Sequence, residues 1–229
     1  MSPRKRRITK HMMKEDKLVT TTFRLTQWVQ KNSHRILQVT GAVVAVAVVI
    51  FIFLSVRAQR SQKANQLLSQ ATMDFRTGNF SQAISELETI ASKYGGTRSA
   101  PQAIFLLGNI YFYNRQFDQA IATFQRFAEK RVDDPLLTAS SLFGTAQCYL
   151  EKKEYGQAGD YFYRAFESDP QGVLAANSLV SAGFSYSRAN DFEKAKSSYE
   201  KAVELFPQSQ EALKARRELG EIKYSYAEQ

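Results

Sequence analysis

The sequence predicts an all-α protein: one N-terminal transmembrane helix, then an α-solenoid of about four helical hairpins closed by a C-terminal capping helix. Three observations carry this. An uncharged apolar run fills residues 36–56. A pattern of small residue, aromatic and alanine recurs three times beyond it. A final stretch, 208–226, is rich in Ala, Leu, Lys, Arg and Glu. The expected divisions are a basic cytoplasmic flank (1–35), a transmembrane helix (36–56), a juxtamembrane stretch (57–70) entering the first repeat helix, four repeats over 61–207, and the cap (208–229).

Charge separates the two parts. Residues 1–60 hold 12 Lys/Arg and 2 Asp/Glu, whereas residues 61–229 hold 19 and 20. The net +9 of the chain therefore belongs to its first quarter. A near-neutral folded region lacks the electrostatic footprint of a nucleic-acid binder. Both histidines, His11 and His34, precede the apolar run, and Cys148 is the only cysteine. That removes Ser/His/Asp and Cys/His catalysis and multi-cysteine metal sites from the repeats, so no enzyme, cofactor or metal is expected there. Cys148, set among Ala146, Tyr149 and Leu150, reads as a small packing residue.

The 21 residues from Ile36 to Val56 lie between Arg35 and Arg57 and would span about 31 Å as a helix, close to the hydrocarbon thickness of a bilayer. In lipid the backbone must satisfy its own hydrogen bonds, which makes a helix the workable conformation. A cleaved leader competes, because Val56 and Ala58 suit the small-residue rule. Against it stand a 35-residue flank and the length of the run.

Ten Lys/Arg precede the run, and short basic flanks stay in the cytoplasm. The C-terminal region is then extracytoplasmic, anchored by one membrane helix. Trp28, Lys31, Arg35 and Arg57 are the expected interface residues, and residues 1–15 read as a disordered basic tail able to touch anionic headgroups. Leu18, Leu25, Trp28 and Val29 share one face of a helix, with Val19 and Phe23 off it, so this segment reads equally as an interfacial helix or a solvated spacer.

The recurrence begins on small residues at Ala71, Gly108, Ala146 and Gly183. It places aromatics at Phe80, Phe117, Tyr155 and Phe192, then alanines at Ala83, Ala120, Ala158 and Ala195. Four residues on stand Leu87, Phe124, Phe162 and Tyr199; three further are Ile90, Phe127, Ala165 and Ala202. The alanines are 37, 38 and 37 residues apart. Each unit reads as two helices, the small residues letting them approach and the i, i+4, i+7 stripe sealing hairpin to neighbour. Gly78 and Asn190 suit the turns within hairpins; Pro170 and Pro207 mark the ends of two of them. In the capping stretch, Leu213 and Leu219 read as its inner side and Arg216 and Arg217 as its outer side.

These segments resemble tetratricopeptide repeats, with a period three to four residues longer than usual and no tryptophan in any unit. The lengthened form is similar to extracytoplasmic repeat domains of the bacterial envelope, among them YfgM-like ancillary subunits of the Sec translocon and YbgF-like proteins of the Tol-Pal system. The resemblance implies a protein-binding module: a translocon- or chaperone-associated subunit handling exported chains, or a structural adaptor of envelope or division machinery. It also implies a groove on the first helices, at Phe105, Asn109, Phe112, Tyr113, Phe143, Gln147, Phe184 and Arg188. The amides would hydrogen-bond an extended backbone and the aromatics bury its side chains. The competing reading has Phe105, Phe143 and Phe184 packing within the array. No clamp of basic residues for acidic chain ends is visible in this set.

Overall fold

The computed structural model describes residues 10–129 and 134–227, with side chains over 19–127 and 134–222. Ten helices and no strand occur among the described residues: α1 (Lys10–Lys31), α2 (Ser33–Thr77), α3 (Phe80–Lys93), α4 (Ser99–Tyr113), α5 (Phe117–Glu129), α6 (Pro135–Glu151), α7 (Tyr155–Ser168), α8 (Ala175–Arg188), α9 (Phe192–Leu205) and α10 (Gln210–Ala227). The chain divides into two compact units, Met1–Ala58 and Gln59–Gln229.

In the first unit, the stretch of α2 over the apolar run is long and apolar enough to cross a membrane, and none of it is buried within the protein. α1 begins at Lys10, so residues 10–15 are helical rather than part of a disordered tail. No Gly or Pro interrupts 10–31, and Met, Lys and Glu are good helix formers. Arg4, Lys5, Arg6 and Arg7 of the expected tail lie outside the described residues.

In the second unit the helices pair as the periodicity predicts. The C-terminal part of α2 packs with α3 through Ala64, Ala71, Ala83 and Leu87. The pairs α4–α5, α6–α7 and α8–α9 follow, and α10 closes on α8 and α9. Every sealing position is buried: Ala83, Ala120, Ala158 and Ala195 are fully enclosed, as are Leu87, Phe127, Tyr199 and Ala202.

The closest approaches are made by glycine against aromatic rings. A methyl group added at Gly108 would stand 2.4 Å from the Phe124 ring, and one added at Gly144 would meet the same ring at 2.8 Å. Phe124 of α5 is thus held between its own hairpin's α4 and the next hairpin's α6. Gly183 faces Tyr199 at 2.7 Å, and Gly159 of α7 faces Tyr186 of α8 at 2.6 Å. Tyrosine at the same repeat position also bonds backwards: Tyr111 donates to Glu88 at 3.0 Å and Tyr186 to Asp160 at 2.8 Å. Burial, and then the carboxylate acceptor, raise the pKa of both phenols.

Each hairpin turns through one residue in the left-handed region: Gly78 (φ 82°), Arg115 (59°), Lys153 (63°) and Asn190 (61°). Two amide bonds close every such turn, as in Gln116 N–H to Tyr111 C=O at 2.8 Å and Arg115 N–H to Phe112 C=O at 2.9 Å. This is the Schellman arrangement, which satisfies the last carbonyls of the first helix. Asp134 then caps α6 through the Leu137 amide at 3.0 Å, with Pro135 in the first turn, and Asp191 caps α9 through Lys194 at 3.2 Å.

Leu213 departs from expectation. It is 62% exposed, and the inner side of α10 is formed by Ala212, Ala215 and Ile222 with Leu219 half-buried. The small alanines set the phase, because they let α10 come close to the preceding hairpin. Cys148 is buried, and burial pushes its thiol up to about 12, so it packs and does not react at neutral pH.

The glycine contacts separate two effects of alanine substitution. In a helix, Gly→Ala gains up to about 1 kcal/mol. At Gly156 of α7, where nothing lies within 4 Å of the added methyl, urea unfolding should show that gain. At Gly108 the ring cannot retreat, and Gly108→Ala should cost about 1–3 kcal/mol by overpacking. A neutral Gly108→Ala would show that α4 and α5 do not depend on that approach.

Candidate functional site

The first helices of successive hairpins also touch one another, α4 on α6 and α8 on α10. Their remaining sides therefore share one surface, and the spacing sorts it into rows. Leu68, Phe105, Phe143 and Val180 form a half-buried apolar row. Beside it run Thr72, Asn109, Gln147 and Phe184. Phe75, Phe112, Leu150 and Ser187 follow, and the outermost row is Arg76, Tyr113, Glu151 and Arg188.

The expected groove residues divide by what they touch. Phe105 packs on Phe124, with ring centroids 5.9 Å apart, and Phe143 meets Phe162 edge-on at 4.8 Å. Both rings are half-buried against their own hairpin's second helix. Phe184 is 39% exposed with the Arg188 guanidinium 5.2 Å above its ring, a cation–π contact that keeps the exposed ring face beside a charge. Asn109 and Gln147 are partly exposed, in the row between the packed rings and the outer charges.

Phe112 and Tyr113 belong to an aromatic chain. Tyr113, 67% exposed, stands 5.9 Å from Phe75 and 6.1 Å from Phe112. Phe75 continues to Phe80 at 5.9 Å, and Phe112 to Phe117 at 5.8 Å, where Arg115 lies 5.4 Å over the ring. The first and second hairpins thus present a patch of five rings of which Tyr113 is the exposed crest. Phe75 and Leu150 were absent from the expected set, although each is in register with Phe112, 37 and 38 residues away.

Charge on this surface is mixed. Arg115 reaches Glu151 at 3.8 Å, and Lys152 bonds Asp118 at 2.8 Å and Glu154 at 3.0 Å. Such exposed pairs contribute little to stability. The arrangement suits apolar and backbone-polar contacts and offers no concentrated charge to a ligand.

Residues 105–173 and 176–209 match family models of the tetratricopeptide repeat. No curated protein matches the chain. Among solved structures, a tetratricopeptide repeat protein from Parabacteroides merdae gives a TM-score of 0.59 at 17% identity, over 73% of this chain and 62% of its own. The apo form of RapI gives 0.57 at 18%, over 72% and 64%. A portion of MamA from Desulfovibrio magneticus RS-1 gives 0.55 at 18%, over 72% and 86%. The chain thus spans under two thirds of the first two. At these identities the likeness is one of fold: the chain carries tetratricopeptide repeats in an all-α array.

The contacts predict opposite behaviour for two aromatics. Tyr113→Ala removes an exposed ring and should change unfolding free energy by about 0.5 kcal/mol or less. Phe124→Ala empties the space between Gly108 and Gly144 and should cost about 3–5 kcal/mol. Equal losses in denaturant titration would make Tyr113 a packing residue and remove it from the binding surface.

Proposed function

We propose that this chain is a membrane-anchored, non-enzymatic protein-binding module whose repeat array binds an extended protein segment on the surface of its first helices. The observation that carries this is the exposed crest of Tyr113 on the Phe75–Phe112–Phe117 rings, beside the amides of Asn109 and Gln147. Aromatic side chains of low conformational entropy are the usual anchors of protein interfaces. Side-chain amides hold an extended backbone in any register, and the surrounding mixed charge favours no single sequence.

The anchor is the apolar stretch of α2 over residues 36–56, with Trp28, Lys31, Arg35 and Arg57 at the two interfaces. The basic flank holds the N-terminus in the cytoplasm and places the repeats outside the inner membrane. A binder of extended segments in that compartment meets chains leaving the translocon, and we assign it to their handling beside translocon or folding factors. A fixed partner in envelope or division machinery is the alternative occupant of the same surface.

Two experiments test the proposal. Protease added to opened envelopes should digest residues 61–229 and spare residues 1–35; protection of the repeats instead would place them in the cytoplasm. A mature N-terminus at Gln59 would show a cleaved leader. A photo-crosslinker at Gln147 in intact membranes should capture translocon components and exported chains, and adding Tyr113→Ala to the same chain should weaken recovery about 30-fold if the ring is a hot spot worth about 2 kcal/mol. Capture of one folded envelope protein alone would select the adaptor reading.

A further inference from the structure

α1 carries a second surface that neither the repeats nor the span accounts for. Val19, Phe23, Leu25 and Val29 are each between 43% and 66% exposed, with nothing among the described residues covering them. In helical phase Trp28, Leu25, Val29, Val19 and Phe23 follow one another along a broad apolar stripe, with Thr22 and Thr26 in its middle and Thr21 and Gln30 nearer its edges. The two central threonines do not break the stripe. Thr22 donates its hydroxyl to the Val19 carbonyl at 2.9 Å, and Thr26 donates to those of Thr22 and Phe23 at 3.1 and 2.9 Å. Hydroxyls satisfied by their own helix leave methyl groups outward. Thr40, inside the apolar run, bonds back to Ile36 in the same way.

The opposite side carries Arg24, Gln27 and Lys31. From residue 17 to residue 35 the sequence has four cations, Lys17, Arg24, Lys31 and Arg35, and no acidic residue. Only Asn32 separates α1 from α2; its side-chain and backbone amides donate to the Trp28 carbonyl at 2.9 and 3.0 Å, and its carbonyl accepts from the Ile36 amide at 2.9 Å, so the helical bonding continues across it. The stripe ends seven residues before Ile36, where the apolar run begins.

We propose that α1 lies along the cytoplasmic surface of the bilayer as an amphipathic helix, its apolar stripe in the acyl boundary and its cations among anionic lipid headgroups. An apolar helical face backed by basic residues sinks about 5–10 Å into that boundary. Each cation near an anionic surface strengthens the local association about fivefold. The span supplies the proximity, and a bend at Asn32, the one residue between α1 and α2, would lead the chain from the surface into the bilayer. The inference rests on the membrane reading of α2.

The test uses the full chain reconstituted in vesicles, with a nitroxide label on one introduced cysteine at a time; buried Cys148 stays unlabelled. Leu25→Cys and Val29→Cys report the stripe, Thr20→Cys and Gln27→Cys the opposite side, and Val44→Cys and Val48→Cys the span. Labels at 25 and 29 should show an oxygen-to-nickel accessibility ratio several-fold above those at 20 and 27. That contrast should grow when phosphatidylglycerol is mixed into phosphatidylcholine. Water-like ratios at all four α1 positions, with 44 and 48 lipid-like, would overturn this inference alone. Water-like ratios at 44 and 48 as well would overturn the membrane reading beneath it. Spin–spin broadening at 25 and 29 without lipid-like ratios would show the stripe covered by a second copy, which also overturns it.

Discussion

The array depends on an aromatic ring having nothing but hydrogen in front of it. Phe124 is flanked by Gly108 and Gly144, and no Cβ fits on either side of the ring. One face of that contact closes a hairpin and the other joins it to the next, so a single side chain carries both intra-repeat and inter-repeat packing. Ala146 holds the position of Gly108 in the cluster around Phe162, and Gly183 faces Tyr199. Stability in such an array is the sum of units and their nearest-neighbour interfaces. A defect at one ring is therefore felt in two hairpins.

This packing decides what remains for binding. Rings used to lock the helices, such as Phe105 on Phe124 and Phe143 on Phe162, are withdrawn from the surface they border. The left-handed turns hold the second helix of each hairpin in place, so the next row of the first helix faces outward along the array. Tyr113, Asn109, Gln147 and Phe184 are the side chains left on that surface by elimination. The binding surface is in this sense a by-product of how the hairpins are closed.

Most of the array was legible because its period is nearly constant: the alanines and the positions four and seven residues on are all in the core. Contacts across repeats were harder to read. Gly144 and Gly159 look like ordinary helical glycines until the ring opposite them, from another helix, is placed. Arg115 and Lys153 adopt the left-handed turn without the glycine or asparagine that would announce it; their register with Gly78 and Asn190 was the available signal. Leu213 misled because two alanines, weakly hydrophobic but small, outrank a leucine when close approach sets the phase. Val19 and Phe23 lie off the face of Leu18, Leu25, Trp28 and Val29 by phase; Thr22 and Thr26, whose hydroxyls bond their own helix, fill the arc between them.

The central claim is that Phe124 and Gly144 couple neighbouring hairpins through their shape. A double-mutant cycle in the unit Gln59–Gln229 tests it most directly, by urea unfolding of Gly144→Ala, Phe124→Leu and the pair. If the ring enforces the glycine, Gly144→Ala destabilises the chain when Phe124 is present and is neutral or stabilising when leucine replaces it. The coupling energy should then be about 1–2 kcal/mol, within the range for residues in contact. Additive effects within about 0.3 kcal/mol would contradict the claim, because the alanine and the ring would then not compete for the same space.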